Sequence, residues 1–366
     1  MKKTIAVIFG GRSGEHEVSL VSASAVIDAI DREKYEVLPI GIAVSGQWYS
    51  GPNCLEHFKN QDFSGLSEVA VKMSGDAAGV LIDGEEQQVD VVFPVLHGPF
   101  GEDGTIQGLF EMMQVPYVGS GVLASSTGMD KLQCKAIWES AGLPVVEYVG
   151  LTRLAWEREK DEILADVEER FGYPLFIKPA NMGSSVGVSK AKNEEELVQA
   201  IEMAAKFDHR ILVERGLNVR EIECGIIGNH EPEISPPGEV IVGGEFYDFY
   251  DKYVDGKSSS QVPAELSDEQ IEKVQELALK AYKLLDCSGL ARMDLFVDKD
   301  SGEFYLNEIN TMPGFTSISM YSKLMAAKGM TYPEVVERLI ELGIERFQER
   351  QNNQVVFSSE SDWFKK

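Results

Sequence analysis

The stretch from 290 to 314, LARMDLFVDKDSGEFYLNEINTMPG, constrains this chain most. It reads as two strands joined by a turn. Residues 290–297 are apolar and partly alternating, 298–302 are turn formers, and 303–309 alternate again. Strand side chains alternate between faces, so residues of one parity share a face. With Val297 opposite Glu303, the residues Arg292, Asp294, Glu308 and Asn310 project from one side of the hairpin. Ala291, Met293, Leu295 and Ile309 take the other, apolar side. A two-residue slip preserves this grouping, and a one-residue slip destroys it. Two carboxylates and an amide oxygen on one face suit a hard cation such as Mg²⁺. The competing reading is a solvated strand face with a surface ion pair, because surface charge is common.

The remaining chain alternates strands and helices. Residues 4–9 read as a buried strand, 10–14 as a Gly-rich loop, and 15–31 as a helix opened by Glu15 and Glu17. Residues 35–42 form a second strand, and strand–helix–strand order points to an α/β unit. Residues 45–88 are polar and irregular, with no clear periodicity. A strand at 89–96 runs into HGPFGEDG, an acidic Gly-rich loop of the kind that holds ligands at strand ends in open α/β sheets. A helix at 105–113, a short strand at 115–118 and a helix at 125–141 follow. Further helices fall at 157–171, 193–206, 268–285 and 331–350, with strands at 175–178 and 210–214 and more between 220 and 245. Residues 351–366 read as a tail.

The 366 residues allow two or three domains. The net charge of −26 argues against nucleic-acid binding, which relies on a basic surface. The apolar run after Lys2-Lys3 is too short for a signal or membrane segment. Four scattered cysteines without a CxxC pattern fit reduced thiols in the cytoplasm.

A second informative stretch is PLFIKPANMGSSVGV at 174–188. A strand ends in Lys178, and Gly183, Ser184, Ser185 and Gly187 follow. Glycines let backbone N–H groups approach phosphate oxygens, and a lysine supplies the charge that phosphates attract. A plain hairpin turn is the alternative. Lys131 and Lys252 are further phosphate candidates, each equally readable as a surface lysine. Glu214 and Glu221 flank Arg215-Gly216, where carboxylates can accept from an adenine amino group and ribose hydroxyls. Two matches are discarded. The string 119–124 fits a dinucleotide fingerprint but lacks an acidic partner downstream, and 256–258 ends like a Walker A loop without its earlier glycine.

Seven stretches in order, GGRSGEHEVS (10–19), HGPFGEDGTIQG (97–108), MDKLQCK (129–135), KPANMGSSVG (178–187), EFYDFYDKY (245–253), GLARMDLF (289–296) and NEINTMPGFTSISM (307–320), resemble the ATP-grasp superfamily, within it the D-alanine–D-alanine ligases. The resemblance covers about 3–345. It implies an α/β, three-domain ATP-grasp fold. An N-terminal Rossmann-like substrate domain would span 1–122, a central lid 123–214, a catalytic unit 215–350 and a tail 351–366. It further implies ATP, two Mg²⁺ (or Mn²⁺) ions, D-alanine as substrate and a homodimer.

By the same resemblance Asp294, Glu308 and Asn310 would hold the metal, and Lys131, Lys178 and Lys252 the ATP phosphates. Glu214, Arg215, Leu217 and Glu221 would line the nucleoside site. Arg292, with the backbone N–H of Gly314, would face the oxyanion of the tetrahedral intermediate. Glu15 would hold the first D-alanine's ammonium, with His97 near its carboxylate. Ser319 and Met320 would receive the second carboxylate, while Glu15, Ser184 and Tyr253 would tie loops over the site. Tyr253 matches the dipeptide-forming pattern rather than the D-alanine–D-lactate one. Arg215 replaces a common lysine, and Pro99-Phe100 replaces smaller residues.

Overall fold

The structure, a computed structural model, describes residues 2–73, 79–241 and 259–354. Lys252 and Tyr253 lie outside the described residues, as do 355–366 of the tail.

The first unit is built on β1 (Lys3–Gly10), α1 (His16–Ala29), β2 (Tyr35–Ile42), β3 (Trp48–Ser50), α2 (Cys54–Lys59), β4 (Ser67–Lys72), β5 (Gly79–Ile82), β6 (Glu85–Gln88), β7 (Val91–Val95) and α3 (Thr105–Met113). Its sheet runs β6-β5-β4-β3-β2-β1-β7. Only β2, β1 and β7 are parallel; the rest is an antiparallel meander added at one edge. That meander occupies the segment that reads as irregular in sequence. Its strands are short and partly exposed, so they carry little of the alternation that marks a strand. β1 is buried from Ile5 onward because helices cover both faces of the parallel centre. The strand expected at 115–118 is only a bridge between Val92 and Tyr117.

Next come α4 (Val122–Met129), α5 (Lys131–Ser140), β8 (Tyr148–Thr152), α6 (Arg153–Phe171), β9 (Leu175–Pro179), β10 (Ser189–Ala191), α7 (Glu194–Phe207) and β11 (Arg210–Arg215). The single helix expected at 125–141 is broken at Asp130. Its extended backbone caps α5, and its side chain accepts from Gln133 N–H. Strands β10-β9-β11-β8 form a four-stranded antiparallel sheet covered by α6 and α7.

The third sheet holds β12 (Val219–Ile227), β13 (Glu233–Ile234), β14 (Gly238–Ile241), β15 (Ser259–Gln261), β16 (Leu290–Asp298) and β17 (Phe304–Asn310). It is antiparallel, ordered β15-β14-β12-β16-β17, with β13 beside β12. Between β15 and β16 lies α8 (Asp268–Leu284), started by a Ser267–Gln270 capping box; α9 (Met320–Lys328) and α10 (Tyr332–Arg350) follow β17. α8 packs on this sheet through Val274, Leu277, Ala281 and Tyr282, and so do Ala124 of α4 and Cys134 and Trp138 of α5. Residues 123–214 thus contribute to two cores. Phe315, Tyr321 and the apolar face of α10 share a core with β1 and α1, which fixes the first unit to the third.

The β16–β17 register settles the face that sequence parity left conditional. Near the turn Val297 pairs with Phe304, not Glu303, a one-residue difference that would scatter the polar group. A bulge at Asn307 then inserts one residue, so Asp294 pairs with Glu308 and Arg292 with Asn310. The face with four polar residues is therefore restored, by an irregularity in the strand.

Candidate functional site

Two adjoining cavities lie where the three units meet, of ≈ 780 Å³ and ≈ 590 Å³. Arg292, Glu308, Lys131, Gly183, Ser184 and Glu223 line both. The larger lies between the four-stranded sheet and the third sheet and is also lined by Lys178, Glu214, Arg215, Leu217, Glu221, Asp294 and Asn307. The smaller reaches toward the first unit and takes in Glu15, His97, Asn310, Gly314, Ser319 and Met320. All the sequence-predicted site residues within the described range therefore reach one or both cavities.

In the hairpin, Arg292 meets Asp294 with a two-point fork, Nε to Oδ1 at 2.7 Å and Nη2 to Oδ2 at 2.6 Å. Its Nε lies 3.1 Å from Glu223 Oε2 on β12, the strand neighbour that places Glu223 opposite Asp294. Burial works against the guanidinium charge, but Asp294 and Glu223 outweigh it and hold the pKa well above its ordinary value. Glu308 Oε2 lies 3.5 Å from Lys131 Nζ. Among the described residues no three His, Cys, Asp or Glu side chains cluster as a metal site. The hairpin instead offers two carboxylates on adjacent strands, with Asn310 beside them. These hard oxygen donors fit a Mg²⁺ that keeps water and phosphate in its shell.

At the cavity floor Glu214 is buried between two ammonium groups: Lys178 Nζ is 2.7 Å from Oε2, and Lys135 Nζ is 2.5 Å from Oε1. Burial favours the neutral acid, but the two lysines prevail and hold Glu214 below its ordinary value. Burial lowers the Lys135 pKa; burial also works against Lys178, but Glu214, with Glu308 and Glu221 behind it, raises that pKa overall. Glu214, expected to accept from adenine, already has both oxygens in ion pairs. Lys178 also reaches Asn307 Oδ1 at 3.4 Å, so the bulge residue joins the group.

The Gly-rich loop closes toward α1. Ser184 Oγ donates to Glu15, which occupies the α1 N-cap position. Ser184 and Ser185 have φ of +50° and +57°, left-handed values rare outside glycine and typical of loops held by their surroundings. Lys131 Nζ donates to Met182 O at 2.7 Å, binding the same loop from the α5 side. At Gly10, φ is +87° and an added Cβ would lie 2.3 Å from Ile42 O, so the turn beneath α1 demands glycine.

His97 is buried at 3 % exposure, and both ring nitrogens are engaged inside the protein. A carbonyl only accepts, so Nδ1 donates to Met312 O at 3.1 Å, and Nε2 then takes the Ser22 hydroxyl at 3.0 Å. Ser22 Oγ in turn accepts from Phe315 N–H at 3.4 Å. Burial lowers the His97 pKa, which suits the neutral ring this chain of bonds requires. His97 therefore clamps the 312–315 loop, with Gly314 in it, onto α1. Ser319 stands at the N-cap position of α9, and its hydroxyl accepts from Thr316 N–H at 3.0 Å.

Three residues that sequence reading missed join the site. Glu223 follows Glu221 by two positions on β12, a parity signal like that of the hairpin. Lys135 follows Lys131 by four, on one helix face. Glu102 lines the smaller cavity and accepts from Gly98 N–H at 2.7 Å; burial, aided by Glu15, pushes its carboxyl pKa well up.

The chain matches the family models "D-ala D-ala ligase N-terminus" over residues 4–120 and "D-ala D-ala ligase C-terminus" over 137–341. It is 49% identical over 357 residues to the D-alanine--D-alanine ligase of Heliobacterium modesticaldum, spanning 96% of this chain and 98% of that one. To the ligase of the same name from Ruminiclostridium cellulolyticum it is 50% identical over 366 residues, 95% and 97% of the two chains. Among solved structures, VanG D-Ala:D-Ser ligase from Enterococcus faecalis superposes with a TM-score of 0.85 at 39% identity, over 94% of this chain and 100% of that one. The D-alanine-D-alanine ligase from Coxiella burnetii gives 0.83 at 33% identity, over 96% and 97%.

Proposed function

The chain belongs to the D-alanine–D-alanine ligase family, and from that premise we propose how its residues divide the reaction. It has the ATP-grasp fold and joins two D-alanine molecules to D-alanyl-D-alanine with conversion of ATP to ADP, a step of peptidoglycan precursor synthesis. ATP and Mg²⁺ are its cofactors. The observation that carries the division of roles is the Asp294–Glu308 carboxylate pair with Arg292 beside it: Asp294 faces the larger cavity, and Glu308 and Arg292 line both.

The larger cavity would take ATP. Lys131 and Lys178 bind its phosphates, and Arg215, Leu217 and Glu221 line the nucleoside pocket with Glu214 at its floor. Asp294, Glu308 and Asn310 would hold Mg²⁺ (or Mn²⁺), two ions in all; bound there, the metal screens phosphate charge. The smaller cavity would take both D-alanines. Glu15 binds the ammonium of the first. Its carboxylate oxygen attacks the γ-phosphorus, giving an acyl phosphate and ADP. The free amine of the second D-alanine then attacks the acyl carbon, forming the amide and expelling phosphate. Its own carboxylate lies against Ser319 and Met320 at the start of α9. Arg292 and the Gly314 N–H face the oxyanion that develops in this step. His97 supports the Gly314 loop through Met312 and Ser22 rather than spending a ring nitrogen on substrate. The Glu15–Ser184 contact holds the glycine-rich loop over the acyl phosphate and excludes water. In this proposal Lys252 and Tyr253 keep the phosphate-binding and loop-closing roles that the sequence resemblance implies.

We also propose the division 1–122, 123–214 and 215–350 for the three units, with residues 122–140 packed on the third sheet's core. No described helix is long and apolar enough to cross a membrane. A cytoplasmic homodimer is the form expected; light scattering on the purified protein tests the dimer.

Phosphate release from ATP in the presence of D-alanine tests the function. Turnover with another acid–amine pair but none with D-alanine overturns the substrate assignment. The likeness to a D-Ala:D-Ser ligase supports a second reading in which D-serine is the acceptor. Competing D-serine and D-lactate against D-alanine as second substrate decides it, and D-alanine is expected to prevail. Glu15→Gln removes the negative partner of the first ammonium. It is expected to raise KM for the first D-alanine by about tenfold to a hundredfold, the worth of one hydrogen bond to a charged group. An unchanged KM would remove Glu15 from the ammonium site.

A further inference from the structure

The larger cavity's floor holds one carboxylate and two ammonium groups, more positive charge than the pairing there needs. Glu214 is 2% exposed and is met on one oxygen by Lys178 and on the other by Lys135. Lys178 lines the cavity; Lys135, on α5, is 1% exposed and lies behind Glu214. A single Lys178–Glu214 pair would already balance the charge of the carboxylate. Burying a second ammonium costs desolvation, which Lys135 offsets, among the described residues, through Glu214 and the face of the Tyr148 ring, 5.8 Å away. Such an excess makes sense if Lys178 does not stay with Glu214.

We propose that Lys135 is a positioning residue for ATP. It holds and neutralises Glu214 so that Lys178 can turn its ammonium to the incoming phosphates. Without Lys135, a phosphate would have to draw Lys178 away from a carboxylate left buried without a counter-charge. Binding would then bear the cost of an uncompensated interior charge. The pairing is set from three elements: β11 supplies Glu214, β9 supplies Lys178 and α5 supplies Lys135. α5 is fixed against both sheets, by Trp138 in the core of the third sheet and by the Asp130–Arg210 ion pair to the four-stranded one. Lys135 is thereby held still while the Lys178 ammonium moves.

The inference rests on the ATP-ligase reading above. Lys135→Met, of similar length but uncharged, is measured by D-alanine-dependent phosphate release on the full chain. The expected result is a KM for ATP raised about tenfold or more, with kcat at saturating ATP and KM for D-alanine within about threefold of the parent. Adding Glu214→Gln removes the charge that traps Lys178. The double variant is expected to return the ATP KM to that of Glu214→Gln alone. A folded Lys135→Met with an unchanged KM for ATP overturns the proposal and leaves Lys135 as a structural tie. Should Lys135→Met not fold, Glu214→Gln with and without Lys135→Met is compared. Equal ATP KM values support the proposal, and a tenfold gap between them overturns it. Absence of D-alanine-dependent turnover in the parent would instead sink the ligase reading, a separate outcome.

Discussion

Arg292→Ala is expected to lower kcat by at least about two orders of magnitude, the usual loss on removing an oxyanion donor. ATP binding should change far less, because the proposed division of roles gives the phosphates to Lys131, Lys178 and Lys252. Among the described residues, the polar contacts of the guanidinium run through Nε and Nη2 to Asp294 and Glu223. Those contacts orient the planar fork and leave its Nη1 edge for the reaction. They also give the variant a second effect. Glu223 is 5% exposed, and it and Asp294 would lose their shared counter-charge. Breaking a buried pair on one side costs about 3–5 kcal/mol, so a lower melting temperature should accompany the kinetic loss. Single-turnover rates and ATP affinity on the folded fraction separate the two. Equal losses in ATP affinity and turnover would contradict the oxyanion role.

Glu308→Gln should be nearly as costly, and for a different reason. The substitution keeps the shape but turns one acceptor oxygen into an NH2 donor and removes one of the two charges that the proposal assigns to Mg²⁺. Metal stabilisation of transferring phosphate is worth several kcal/mol, so turnover should fall about a hundredfold to a thousandfold. The Mg²⁺ concentration for half-activation should rise. Glu308 is one-third exposed, and its lysine contact spans 3.5 Å, so stability should hardly move. A variant with the parent's Mg²⁺ dependence would take Glu308 out of the metal site. Asp294→Asn is a poorer probe because it also breaks the Arg292 fork.

The hairpin shows how far sequence parity carries. Arg292, Asp294, Glu308 and Asn310 share a face, as alternation implies, and Ala291, Met293 and Ile309 are buried behind it. The register that delivers this was not legible. Counting from the turn gives the wrong partner for Val297, and only the bulge at Asn307 brings the parity back. No local signal marks that bulge; Asn307 reads as one more polar position in an alternating strand. The antiparallel meander between β2 and β7 escaped for a related reason. Short, half-exposed strands are held by their neighbours in the sheet and leave no strong period of their own.

What the sequence determined by itself was the order of most elements outside 45–88 and the motifs, because those depend on neighbours within a strand, a turn or a helix face. The electrostatic partners of the motif residues were decided by the tertiary structure alone. Lys135 meets Glu214 across 79 positions and Lys178 meets it across 36, separations that no periodicity connects. His97 gives Nδ1 to Met312, 215 positions away in sequence, and Nε2 to Ser22, 75 positions away, and Arg292 finds Glu223 on another strand. A charged side chain's role follows from what it is paired with and how dry the pairing is. Both are set only when three sheets and α5 come together.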